Sequence, residues 1–392
     1  MMKPHQKTII FLADGMADEP IAALNGKTPL QAAHTPYMDS IASQGRSGTL
    51  LTLPKDFPTS SDVANMSVLG CDLRTEFCGR GVLEAASQGI PLTKADVAFR
   101  VNLVTVAKDG TLADYSGGHI DQKQAEQHIQ ELNDALATDK IRFHPGVSYR
   151  NLLILSGEEF SAEVQCDKPD DSPGKPVSEH LPRAKIPQGA HTATVLNDLI
   201  AKAAKVLERH AANAIWPWSP GRAGAMKTLR ERYGISGAVI SAVDVIKGLG
   251  RCLGMDVVNV PGATGYTDTN YEGKAKAAIE AIKTHDLVYL HVEAIDEVSH
   301  EQDAMRKVAA IEDFDARIVR PVMKACGKGV RYVVLPDHPV PVALGRHTRT
   351  PVPVAMCGPD IVPDNVETFD EFAAPCGALG VLFGEELMET LF

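Results

Sequence analysis

No apolar run in this chain approaches the roughly 18 to 20 residues that a membrane span needs, and its start, MMKPHQKTIIFLADG, lacks the apolar stretch and cleavage site of a signal peptide. Both absences predict a cytoplasmic protein with no membrane partner. Positive charge is in short supply: 39 Lys and Arg against 50 Asp and Glu leave a formal net charge of −11. Nucleic acids and anionic membranes reward clustered Lys and Arg, so neither is expected as a general partner, and any anionic substrate must meet local cations. Cysteine is sparse too. The seven (Cys71, Cys78, Cys166, Cys252, Cys326, Cys357, Cys376) are odd in number, scattered and never spaced C-x-x-C, which suggests neither a disulfide framework nor a zinc ribbon. There is no G-x-x-x-x-G-K-[ST] loop, and GRGVLEA and GLGRCLG are too weak to serve as one. Internal repeats and low-complexity tracts are also missing.

What the chain does have is length for two domains with real cores, 392 residues of which 44% are hydrophobic and 23% charged. Short β-branched runs, KTIIFLAD, GAVISAV, MDVVNVPG, DLVYLHVEA and GVRYVVLPD, alternate with helical patterns such as HTPYMDSIASQG, DVIKGLGRCLG, YEGKAKAAIEAIKTH and AMRKVAAIEDFDARIVRPVMKAC. Continuous apolar strands imply a sheet buried on both faces, and the alternation predicts an α/β fold with a mostly parallel sheet flanked by helices. From about residue 96 the rhythm changes. Strand-like VAFRVNLVTV and SYRNLLIL are separated by polar and Pro-rich loops, and the long amphipathic TATVLNDLIAKAAKVLERHAANA follows. A smaller α+β domain, 96–224, is therefore expected as an insertion into a first domain of 1–95 and 225–392, with the two boundary crossings as a hinge. The tail FAAPCGALGVLFGEELMETLF reads as an apolar helix docked on the core.

Six residues that bind metals well stand at telling places. Asp14 closes the first apolar run, Asp337 and His338 end another, Asp296 and His300 form D-x-x-x-H just beyond DLVYLHVEA, and His347 follows in GRHTRTPVPV. Ligands of open α/β sheets collect at the carboxyl ends of strands, and a helical turn would put Asp296 and His300 on one face. Mixed carboxylate and imidazole donors suit manganese, zinc, iron or magnesium. Any one of these residues alone is more simply a cap or turn residue; together they predict a two-metal, phosphate-handling centre. In PTSSDVANMSVLG two serines open a helical pattern, where free N–H groups favour an anion, although capping the helix is the plainer role for either. A serine becomes a strong phosphoryl acceptor when a metal lowers its pKa.

The segments ADGMADEP, SSDVANMSVLG, GRGVLEA, D296-x-x-x-H300, PDHPVP and RHTRTPVPV, in consistent order from Lys7 to about Gly358, resemble the cofactor-independent phosphoglycerate mutases of the shorter, archaeal-type branch, a part of the alkaline phosphatase superfamily. The resemblance implies an alkaline-phosphatase-like sheet and a glycolytic isomerase that needs no 2,3-bisphosphoglycerate. It also implies two divalent ions, manganese first, with zinc, magnesium, cobalt or iron as alternatives. Asp14, Ser61, Asp337 and His338 would hold one ion, and Asp296, His300 and His347 the other. Ser61 is preferred to Ser60 because the family's nucleophile directly precedes an acidic residue, here Asp62. Ser61 would take the phosphoryl group of 3-phosphoglycerate and return it to the 2-oxygen of the same glycerate.

Holding a small phosphorylated substrate requires cations and a pocket poor in water. Arg100, Asn102, His119, Arg150, Arg222 and Lys247 are the candidates, with a surface charge as the plain alternative for each. Lys247 resembles the family's substrate-side lysine. Trp216 and Trp218 are expected to pack, and the inserted domain to close as a lid. One rival keeps the site and changes the acceptor: WPWSPGR and PGATGYTDTNYEGKA resemble segments of bacterial members proposed as alternative homoserine kinases. A plain phosphatase and a metal-stabilised binding protein are the remaining readings.

Overall fold

The first apolar run forms the strand Thr8–Ala13, buried along its whole length, in a computed structural model that describes residues 5–222, 224 and 226–392. It lies inside an eight-stranded sheet ordered Asp256–Val257, Gly237–Ile240, Leu287–Val292, Thr8–Ala13, Arg331–Leu335, Val352–Cys357, Gly45–Leu51, Gly380–Phe383. Every strand but one shares a direction, and Val352–Cys357 runs against both of its neighbours. All five strand-like runs of the alternating pattern are in this sheet, although MDVVNVPG contributes only the two residues of its edge strand. One apolar cluster joins Ile9, Phe11, Val288, Leu290 and Val334 to Met38 and Ile41 of the helix Pro36–Ser43, Ala278 of Tyr271–Ala281 and Phe314 of Ala304–Phe314. The burial that decides this arrangement is that of the apolar strand runs, which propensity alone would not distinguish from buried helix.

The tail departs from expectation. Gly380–Phe383 pairs in parallel with Gly45–Leu51, and only Glu386–Leu391 is helical. Gly377, Gly380 and Gly384 interrupt the apolar stretch, and each glycine inside a helix costs about 1 kcal/mol relative to alanine. The partner strand, GRSGTLL, gives no apolar alternation because it must come close to its neighbour: a Cβ on Gly45 would lie 1.9 Å from the Met356 carbonyl oxygen.

The chain divides into two compact units, one running to Phe77 and resuming at Lys227, the other Cys78–Met226. The second unit contains a five-stranded antiparallel sheet with Asp96–Val106 between Arg150–Ser156 and Ala214–Arg222. One face carries Val97, Phe99, Val101 and Leu103 into a core with Ile129 and Leu132 of the helix Gln122–Leu136 and Leu196 and Leu199 of Ala190–Val206. The alternate residues Arg100 and Asn102 point to the other face, as period-two alternation requires. The helix Arg80–Ser87, ahead of residue 96, also belongs to this unit. Among the described residues, no helix is long and apolar enough to cross a membrane.

Candidate active site

The sequence-predicted ligands converge at the carboxyl ends of three adjacent strands of the first unit. Asp14 follows Thr8–Ala13, Asp337 and His338 follow Arg331–Leu335, and Asp296 and His300 ride the helix Ala294–His300 just past Leu287–Val292. Thr8–Ala13 lies between the other two strands, so their ends deliver side chains to one spot. Gly15, at φ +67°, lets the loop after Asp14 approach that helix; a Cβ there would lie 2.7 Å from the Cα of Asp296. His347 arrives from the loop between Arg331–Leu335 and Val352–Cys357.

Two overlapping donor groups result, Asp14 with Asp296 and His338, all buried, and Asp296 with His300 and His347, more open to solvent. In the open group His300 Nε2 lies 3.3 Å from Asp296 Oδ2, His347 Nε2 lies 3.5 Å from Asp296 Oδ1, and the two imidazole nitrogens are 3.1 Å apart. A tetrahedral ion bound at roughly 2.0 to 2.1 Å separates its donors by about 3.4 Å, so this spacing fits one. In the buried group His338 Nε2 is 3.4 Å from Asp14 Oδ1 and 3.3 Å from Asp337 Oδ2. Ser61 Oγ lies 3.1 Å from the same nitrogen, at the first residue of the helix Ser61–Val68.

The charge balance points the same way. Asp14 Oδ1, Asp296 Oδ1 and His338 Nδ1 are buried with no hydrogen-bond partner among the described residues, a costly state unless something else satisfies them. Burial, together with the charges of Asp337 and Asp296, holds the Asp14 carboxyl well above the usual carboxylate range. Burial also raises Asp337 and pushes the His338 imidazole far below its ordinary value. The hydrogen bond with Asp296 lifts His300 to about 9. Buried carboxylates crowded this closely fit divalent metal, and the mixed nitrogen and oxygen donors suit transition ions as well as magnesium.

Several residues that hold this cluster were not foreseen. His291 Nε2 lies 3.0 Å from Asp14 Oδ2, while its Nδ1 lies 3.1 Å from Ser241 Oγ. Asn65 Nδ2 donates to Asp337 Oδ2 at 2.9 Å and to the Ser61 carbonyl at 2.8 Å, and Tyr289 OH donates to Asn65 Oδ1. Lys307, fully buried, donates to Asp18 Oδ2 and to the Val340 carbonyl, each at 2.9 Å, tying the loop after Asp14 to the loop after His338. A His or Tyr within an apolar strand and a Lys within a helix carry no spacing signal, which is why the motifs do not mark them.

The substrate-side candidates are distributed over both units. Arg100, 6% exposed, stacks 4.4 Å from the Trp218 ring centroid and pairs with Glu84 at 3.1 Å. Asn102, opposite Arg150 in the sheet register, accepts from Trp218 Nε1 and donates to the Tyr115 carbonyl. Arg150 lies over the Tyr149 ring and His119 meets that ring edge-on. Arg222 is committed to the Lys94 and Phe160 carbonyls. Lys247 lies in the first unit, 3.5 Å from Asp244. Trp216 and Trp218 are buried, the first donating to the Asp167 carbonyl.

An α/β domain whose strand ends gather carboxylates and imidazoles beside a serine at a helix N-terminus is built like a metal-dependent phosphoryl-transfer centre. Comparison with known proteins narrows that class. The profile of the family described as 2,3-bisphosphoglycerate-independent phosphoglycerate mutase matches residues 42–213. A protein of that name from Methanosarcina acetivorans is 47% identical, covering 98% of this chain and 99% of its own. One from Geobacter sulfurreducens, named as a probable member, is 46% identical over the same shares. The solved cofactor-independent phosphoglycerate mutase of Thermoplasma acidophilum superposes with a TM-score of 0.68 at 28% identity, covering 98% of both chains. The chain belongs to the 2,3-bisphosphoglycerate-independent phosphoglycerate mutases, a family of isomerases. Homoserine as the phosphoryl acceptor is not favoured by these relatives.

Proposed function

We propose that this enzyme interconverts 3-phosphoglycerate and 2-phosphoglycerate through a phosphoserine on Ser61, with no 2,3-bisphosphoglycerate. The observation that carries the reading is the place of Ser61 Oγ, at a helix N-terminus and 3.1 Å from His338 Nε2 within the ligand cluster. Asp14, Ser61, Asp337 and His338 are the residues that would hold one divalent ion, and Asp296, His300 and His347 the other; we favour manganese. Bound ions supply charge neutralisation of the phosphoryl group and a lowered pKa for the serine hydroxyl.

The chain's own part begins with Ser61 Oγ, which attacks phosphorus as the bond to the 3-oxygen of glycerate breaks; the serine proton is lost and the departing oxygen gains one. The N-terminal end of the Ser61 helix, with its dipole, favours the transferring anion. Glycerate stays bound and turns, and its 2-hydroxyl then displaces Ser61 from phosphorus. Arg100 and Arg150 offer planar forks that suit carboxylate and phosphate, with Asn102, His119 and Lys247 as further contacts. Arg222, already held by two carbonyls, is the weakest of the six candidates. The second unit acts as a lid that excludes water from the phosphoserine, and the enzyme works in the cytoplasm.

The test is to quench metal-loaded enzyme in acid during turnover of 3-phosphoglycerate and to map phosphate on its peptides. Phosphate on Ser61, absent from Ser61→Ala, is the expected result. Turnover without phosphate on any serine, or turnover that requires added 2,3-bisphosphoglycerate, would refute it.

A further inference from the structure

We propose that Asn65 is a positioning residue whose amide fixes Asp337 and Ser61 relative to one another, with Tyr289 anchoring the amide's oxygen. The proposal rests on the reading of Ser61 as nucleophile and Asp337 as metal ligand. Asn65 lies one helical turn beyond Ser61 and is fully buried, as is Tyr289 in the strand Leu287–Val292. Its Nδ2 group is shared between two acceptors, the Ser61 carbonyl at 2.8 Å and Asp337 Oδ2 at 2.9 Å. Its Oδ1 accepts from the Tyr289 hydroxyl. A flipped amide would set its oxygen against the Asp337 carboxylate and the Ser61 carbonyl, so these two acceptors select the orientation in which Asn65 donates to both, and the Tyr289 hydroxyl anchors the amide by donating to its oxygen.

Asp337 is held from the other side as well, Oδ1 accepting from the backbone N–H of Gly15 at 3.2 Å and of His338 at 2.8 Å. Donors on both oxygens fix the carboxylate plane and favour the charged form that a cation needs, against the burial that opposes it. The same amide grips the nucleophile's own carbonyl, so a shift of the Ser61 helix moves Asp337 with it. Reacting groups tolerate little drift, since a misplacement of roughly 1 Å can cost about 100-fold in rate.

The experiment compares the full chain with Asn65→Leu, Tyr289→Phe and the double variant. Three things are read: cobalt(II) titration of metal-free protein followed by visible absorption, kcat and KM for 3-phosphoglycerate, and thermal unfolding. Asn65→Leu is expected to bind cobalt about 10- to 100-fold more weakly with a changed spectrum. Its kcat should fall on the order of 100-fold while KM stays within about threefold. Tyr289→Phe should move the same readouts by roughly 3- to 10-fold. The double variant leaves no orphaned phenol, so its unfolding temperature should recover above that of Asn65→Leu while cobalt affinity and kcat stay low. Unchanged cobalt binding in all three variants, or recovery of cobalt binding and kcat together with stability in the double variant, overturns the proposal. If Asn65→Leu fails to fold, Tyr289→Phe, which keeps the ring, decides on the same readouts. A wild type that takes up no cobalt overturns the reading of the site itself, and this proposal with it.

Discussion

The two halves of the ligand cluster use the same chemistry and are built differently. Asp14, Asp337 and His338 are at most 1% exposed, and both carboxylates are gripped by further groups: Asp14 by His291, Asp337 by Asn65 and two backbone N–H groups. In the other half the His300 side chain is 37% exposed and is oriented through Nδ1 by the Gly345 carbonyl, while His347 rides a loop. Asp296 belongs to both. The difference teaches where geometry is set: the buried half fixes the place of Ser61, the nucleophile we propose, and the open half leaves its donors within reach of solvent. A preorganised, dry arrangement raises the worth of each charge, and an open one lowers it.

Removing Ser61, the nucleophile we propose, is the largest break. Ser61→Ala is expected to lower kcat by on the order of 10³-fold or more, with metal binding largely kept, as steady-state kinetics and metal analysis would check. Next come the two halves set against each other. Asp14→Ala should abolish measurable turnover even in excess metal, whereas His300→Ala should weaken metal binding by about 10- to 100-fold and recover much of its activity as metal is raised. Equal rescue of both would erase the distinction. Metal removal by a chelator should lower the unfolding temperature by several degrees, because a ligand at about 100 times its Kd adds roughly 2.7 kcal/mol. That shift should shrink in Asp337→Ala more than in His347→Ala if the buried half carries most of the coupling between binding and folding. The smallest effect is expected outside the cluster: Arg100→Lys keeps the charge but loses the fork stacked on Trp218, so KM should rise about 10-fold with kcat changed little. A change in kcat alone would move Arg100 out of substrate binding.

The buried half was partly legible in the sequence. Asp14, Asp337 and His338 stand out because each ends a run whose continuous apolarity identifies a strand buried on both faces. Their supports were not legible. Tyr289 and His291 look like strand residues, Asn65 like a polar residue on a helix, and only packing reveals that each touches the cluster. Gly45–Leu51 escaped notice because its glycines serve close approach and not apolar alternation, and the tail misled because its apolar residues belong half to a strand and half to a short helix. Arg222 shows the converse: a cation in a suggestive motif, WPWSPGR, whose guanidinium is taken up by carbonyls of its own unit.

Phosphorus NMR of pure, manganese-loaded protein with 3-phosphoglycerate and no bisphosphoglycerate tests the central claim most directly. The account predicts growth of the 2-phosphoglycerate signal toward equilibrium with no free phosphate. A static spectrum with metal confirmed in place, or accumulation of free phosphate instead, would contradict it.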